Sequence, residues 1–137
     1  MDEPINLVLF SGTDDKLQAA AVLTAGAAAL GKPVNIFLQY WALDAFRADR
    51  IGADHGLAPE AGSAGRAAVD DLAAAGQATW AETLRLAKEL GGVDIQACSL
   101  SMDLLKLESG DLDPLVDGVE GVTSFYLNAG EGHLVFI

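Results

Sequence analysis

Thr79-Trp80-Ala81-Glu82-Thr83-Leu84-Arg85-Leu86-Ala87-Lys88-Glu89-Leu90-Gly91-Gly92-Val93-Asp94-Ile95-Gln96-Ala97-Cys98 contains, in order, a helix, a stop and a strand. Trp80, Leu84, Ala87 and Leu90, with Leu86 nearby, recur at helical spacing and predict one apolar face. Gly91-Gly92 interrupts that period. From Val93 to Ala97 apolar and polar residues alternate, which is the period of a strand. The strand ends at Cys98, and helical spacing resumes at once over Ser99 to Leu107, with Leu100, Leu104 and Leu107 on one side.

The same alternation of elements extends in both directions. Ile5-Asn6-Leu7-Val8-Leu9-Phe10 is mostly apolar and lies between Pro4 and Ser11-Gly12. Apolar content of this density predicts a parallel strand covered on both faces. Ser11-Gly12-Thr13 is a turn, and Thr13 is placed to cap the next helix. Asp14 and Asp15 suit the first turn of that helix, where the dipole favours negative charge; they read as a solvated helix start. The helix runs to about Leu30 and ends at Gly31. After Lys32-Pro33, Val34 to Leu38 is a second strand, closed by Gln39-Tyr40-Trp41, and Trp41 to Arg50 reads as a short helix.

Ile51 to Gly65 is rich in Gly, Ala and Pro and has no period, which reads as a long loop. Loops of that length in compact domains usually cover a site or meet a partner. Ala67 to Ala75 is a helical piece within this excursion. Beyond Leu107, Asp111 to Val116 is a helical or turn segment. A brief strand follows near Val119, then a helix over Val122 to Ala129, a turn at Gly130 to Gly132, and a last strand from His133 to Ile137. Strands alternating with helices predict one domain over 1–137, a three-layer α/β/α sandwich with a mostly parallel sheet of about five strands.

Composition removes several function classes. Twenty Asp and Glu face eight Lys and Arg, for a formal net charge of -12. Nucleic-acid binding relies on cations that neutralise phosphates, and no basic patch is present. Anionic lipid surfaces are disfavoured for the same reason. The excess acid serves solubility, or steers a partner that has a basic face. The longest apolar stretch, Ala19 to Leu30, is too short and too weakly hydrophobic for a membrane span. One cysteine excludes an internal disulfide framework and fits a reducing compartment. Met1-Asp2-Glu3-Pro4 is acidic where a secretory signal is basic. The expectation is a cytoplasmic protein.

In open α/β sheets ligands bind outside the carboxyl ends of the strands. Ser11, Gly12 and Thr13, then Tyr40 and Trp41, then Cys98 and Ser99 are the strand-end residues, and so the candidate lining of one crevice. Cys98 is the sharpest of them. A helix N-terminus directly after a strand favours the thiolate, the nucleophilic form of cysteine, and the hydroxyls of Ser99 and Ser101 can donate to a sulfur anion. The alternative is a buried cysteine that packs as a small hydrophobe; sequence leaves both readings open. Tyr40 and Trp41 either cover a reactive thiol, anchor a neighbouring subunit or belong to the core. No histidine is placed as a base to Cys98: His55 is in the long loop and His133 begins the last strand, both as structural or surface residues. Two scattered histidines and one cysteine give no metal-ligand spacing. The Ser11 turn lacks the glycine pattern and lysine of a phosphate loop. No cofactor is expected.

The run from Trp80 to Asp103, with Ala97-Cys98-Ser99-Leu100-Ser101-Met102-Asp103 at its end, resembles the DsrE/DsrF-like family, and within it the DsrE2-like branch whose members carry a peroxiredoxin label. Trp41-Ala42-Leu43-Asp44-Ala45-Phe46-Arg47 and Leu115-Val116-Asp117-Gly118-Val119-Glu120 fit the same pattern, so the resemblance covers nearly the whole chain in order. It implies an α/β sandwich that forms homo-oligomers and relays sulfur as a cysteine persulfide. A rhodanese-type donor and a small TusA-like sulfur carrier are the implied partners. Carried over by position, Cys98 inherits the sulfur-carrying role; Ser101 and Met102 match the motif without an assigned chemical role. The family often has a glycine shortly after the motif, where this chain has Lys106-Leu107. The competing expectation is a non-catalytic oligomeric binding or scaffold subunit in which Cys98 is structural. Peroxide chemistry ranks last, because no threonine-and-arginine setting for a peroxidatic thiol is evident.

Overall fold

A computed structural model describes residues 3–137. Met1 and Asp2, part of the acidic start, lie outside the described residues. Five strands form one sheet: β1 (Ile5–Leu9), β2 (Val34–Leu38), β3 (Val93–Cys98), β4 (Gly118–Glu120) and β5 (Leu134–Phe136). Six α-helices connect them: α1 (Asp14–Ala29), α2 (Tyr40–Ala45), α3 (Gly62–Ala74), α4 (Trp80–Leu90), α5 (Ser99–Leu105) and α6 (Val122–Ala129). The strand order is β4-β3-β2-β1-β5 and every pairing is parallel. The α/β/α sandwich read from the sequence is therefore the fold, with a wholly parallel sheet.

Alternation along the strands divides the core. Leu7 and Leu9 of β1, Val34, Ile36 and Leu38 of β2, and Ile95 and Ala97 of β3 all enter one cluster with α1, α2, α4 and Met102 of α5. The residues between them, Val8, Phe37 and Cys98, point to the opposite face and meet Phe125 of α6. Alanine is what lets α1 lie close: Ala20, Ala21, Ala27 and Ala28 are all buried beneath it. α1 and α4 pack side by side on this first face. α6 connects the two edge strands, β4 and β5, and so must cross the second face, where it meets β2.

The helix ends differ from the sequence expectation in instructive ways. Thr13 occupies the cap position of α1, but its hydroxyl makes no capping bond. The true side-chain cap is at α4, where the Thr79 hydroxyl accepts from the Glu82 N–H at 3.1 Å and Glu82 accepts from the Thr79 N–H at 2.8 Å. In α4 the buried face is Trp80, Ala81, Leu84 and Ala87; Leu86 and Leu90 are exposed, because one face of a helix eleven residues long can touch the sheet and α1 only along a narrow stripe. α2 stops at Ala45 rather than near Arg50, and α3 begins at Gly62, earlier than the helical piece expected at Ala67. α5 ends at Leu105, with Leu100 and Leu104 exposed and Ser101 and Met102 buried. Leu100 and Leu104 are turned outward, while Leu107, beyond the helix, is half-buried against the core.

Asp14 and Asp15 are not merely a solvated helix start. Asp14 accepts from the Trp80 indole N–H at 2.9 Å and from the His55 N–H at 3.0 Å. Asp15 accepts from the Ala58 N–H at 3.1 Å. These carboxylates tie the long excursion to α1 and α4, and the His55 ring lies against Trp80 at 5.9 Å.

Candidate functional site

The sheet order puts the ends of β1, β2 and β3 side by side, so the strand-end residues read from the sequence do gather at one edge. Their contacts are tight. A Cβ on Gly12 would stand 2.3 Å from the Trp41 carbonyl oxygen, so only glycine fits there. Tyr40 adopts a left-handed conformation (φ 43), and its N–H donates to the buried Ser101 Oγ at 3.1 Å. The Tyr40 ring lies against Phe10 at 5.0 Å. Ser11 donates its N–H to the Ile137 carbonyl at 3.3 Å. Thr13 is half-buried, and its Oγ1 has no hydrogen-bond partner among the described residues. Trp41 is turned outward, 56% exposed.

Cys98 is buried, 5% exposed, with Val8, Phe37 and Phe125 around it. The Phe37 and Phe125 rings stack at 4.8 Å and close the cluster toward α6. Ser99, half-buried, keeps its Oγ close to Gly121, where a Cβ would be 3.7 Å away. The motif is therefore split by the sheet. Cys98 belongs to the second face, Met102 to the core of the first, and Ser101 holds the turn of β2 into α2.

Three contributors escaped the sequence reading. Glu120 is the register partner of Cys98 on β4, and residues paired in a parallel ladder share a face. Asn128 of α6 donates to the Glu120 carboxylate at 3.3 Å. Phe125 is the helix residue that covers the thiol. Their shared signal is the pairing of β4 with β3, which no local pattern reveals. The same C-terminal end of α6 is fastened by two asparagines in the strands: fully buried Asn6 donates to the Ala129 carbonyl at 3.3 Å and the His133 carbonyl at 3.1 Å, and Asn35 donates to the Asn128 carbonyl at 3.3 Å. Asn35 donates to Asn6 Oδ1 at 3.1 Å. Among the described residues no group of His, Cys, Asp and Glu is arranged to hold a metal, and no helix is long and apolar enough to cross a membrane.

Residues 1–61 match the DsrE/DsrF/DrsH-like family. The uncharacterized protein YrkE of Bacillus subtilis (strain 168) is 31% identical over 147 aligned residues, spanning 92% of this chain and 91% of YrkE. This chain belongs to the DsrE/DsrF/DrsH-like family. Solved structures agree on the fold. The ychN protein of E. coli superposes with a TM-score of 0.62 over the full length of both chains at 12% identity. MTH1491 of Methanobacterium thermoautotrophicum superposes with a TM-score of 0.53 over 99% of this chain and all of its own, at 15% identity.

Lys106 stands at the end of the motif helix. It ends α5 in the left-handed conformation (φ 55, ψ 45). That is the backbone geometry glycine favours at a helix C-terminus.

Proposed function

We propose that this chain is a sulfur-relay protein that carries sulfane sulfur as a persulfide on Cys98. The observation that supports this reading is the placement of the one cysteine of a DsrE-like chain at the carboxyl end of β3, where open parallel sheets bind their ligands. In the first step the Cys98 thiolate attacks the outer sulfur of a donor persulfide. A new S–S bond forms, the donor S–S bond breaks, and the donor leaves as a thiolate. In the second step an acceptor thiolate attacks the outer sulfur on Cys98 and regenerates the Cys98 thiolate. Neither step changes the net oxidation state. With no second cysteine in the chain, both exchanges run to partner proteins: a rhodanese-type donor and a TusA-like carrier suit the two roles.

The apolar walls from Val8, Phe37 and Phe125 would keep a bound persulfide from water. They also mean that exchange requires α6 to lift from the sheet. Apolar side chains exposed on the elements around this edge, among them Trp41, Leu100, Leu104, Tyr126 and Leu127, are suited to contact between copies of the chain.

The burial of Cys98 favours a second reading, a non-catalytic oligomeric subunit in which the thiol only packs. Intact mass after incubation with thiosulfate or polysulfide, with Cys98→Ser alongside, separates the two. The relay reading expects a gain of one sulfur atom, reversed by reductant and absent from Cys98→Ser. No gain with either donor, together with unchanged assembly of Cys98→Ser, overturns it in favour of the packing role.

A further inference from the structure

On the first face, away from Cys98, the excursion borders an open-sided cavity of about 640 Å³ between α3, the loop before it, and the starts of α1 and α4. That volume falls in the range of small-molecule sites. Neither Cys98 nor any other residue of the second-face cluster lines it.

α3 is unusual in its packing. It is thirteen residues long and buries none of them. Helices of this length are marginal alone and are normally held by a buried apolar stripe. Its larger apolar side chains, Val69 and Leu72, line the cavity instead, facing Ile51, Leu57 and Trp80. Trp80 is packed behind by Phe46, but Leu72 is 51% exposed and α3 buries no residue, which leaves dispersion contacts of the α3 wall unmade.

The polar rim is already committed within the chain. Asp14, Asp15 and Glu82 are occupied by the N–H groups described above, and Asp54 accepts from the Gly56 N–H at 2.8 Å. Arg66 is paired with Asp70 at 2.8 Å and with the rim's Asp54 at 3.5 Å, and Arg85 with Asp113 at 3.0 Å. The rim thus sets four carboxylates against two guanidiniums, and each guanidinium is neutralised by a further carboxylate outside it. Its field is negative, which favours a cation and disfavours an anion.

We propose that the cavity beneath α3 binds a small, largely apolar ligand that carries a positive charge. Trp80 provides the reporter, because the chain's other tryptophan, Trp41, lies outside the cavity. The Trp41→Phe protein is titrated with octylamine, 1-octanol and octanoate, which share a chain length and differ in charge. Octylamine is expected to shift Trp80 emission saturably, with octanol weaker and octanoate weakest, about tenfold or more below the amine. In Val69→Gln with Leu72→Gln, Val69 is only half-buried and Leu72 is exposed, so global melting by circular dichroism is expected to move little. Octylamine affinity falls about tenfold as apolar contact is removed. The proposal is overturned if none of the three ligands moves the emission, if octanoate binds as tightly as octylamine, or if the α3 pair leaves the affinity unchanged. A change in mass by light scattering in the α3 variant also overturns it, and assigns the cavity to a second copy of the chain.

Discussion

On the α1 side of the sheet, Leu7, Ile36 and Ile95 are each at most 1% exposed and meet two long helices and the segments around α2. On the α6 side, Val8, Phe37 and Cys98 meet a single eight-residue helix that buries only Phe125 and Ala129. Both faces belong to the same strands, so the difference lies in what covers them. Stability concentrates where several elements share one core. The thinner covering, a single short helix, lies over the thiol.

Truncating one phenylalanine on each face tests that contrast most severely. Phe46 is fully buried against Trp80, with ring centres 5.0 Å apart, and Phe46→Ala is expected to lower the unfolding free energy by about 3–5 kcal/mol in urea titrations. Phe125→Ala is expected to lose less, at the low end of that range, about 3 kcal/mol, because α6 can settle into the space its ring leaves. It should also raise the rate at which Cys98 is alkylated by iodoacetamide under native conditions. Equal losses with no gain in thiol reactivity would break the comparison.

Asp113 sharpens it through pH. Burial alone pushes this carboxyl up, but the Arg85 guanidinium and the Leu115 N–H outweigh burial and hold it below its ordinary value. A depressed carboxylate contributes stability that is present above the unfolded value, near 3.9, and is lost as pH falls through the folded value. Asp113→Asn should cost about 1.5–3 kcal/mol at neutral pH, the range for hydrogen bonds to a charged group. It should also flatten the acid limb of the stability curve. An unchanged acid limb in the variant would remove Asp113 from the supports of the first face.

The smallest expected effect is at Lys106. Replacing a left-handed lysine with glycine relieves backbone strain, offset in part by the greater freedom of glycine in the unfolded chain. Lys106→Gly is expected to add about 0.5–1 kcal/mol, read as a higher urea midpoint with unchanged slope. A lower midpoint would mean that the lysine side chain contributes more than its backbone strain removes.

Much of the architecture was legible because its signals are local. The period of two in Val93 to Ala97, the helical period from Trp80, and the breaks at Gly31 and Gly91-Gly92 each act within a few residues. Even the weak strand near Val119 and the helix over Val122 to Ala129 were visible in that way. Errors arose where a residue's partner is distant in sequence. Thr13 has the right chemistry for a cap, yet the helix start is governed by Asp14 and Asp15 reaching the excursion. Leu100 and Leu104 have helical spacing, but spacing does not say which side of a helix the sheet will take.

The candidate site divides along the same line. That Cys98 ends a strand and begins a helix follows from sequence, as do the break at Ser11-Gly12-Thr13 and the helix start near Trp41. The order β4-β3-β2-β1-β5 was a tertiary decision, and with it came Glu120 beside Cys98, Phe125 above it and Met102 on the far face. Alternation commits each side chain to one of two faces, but the pairing of strands and the path of α6 depend on burial summed over residues far apart in the chain.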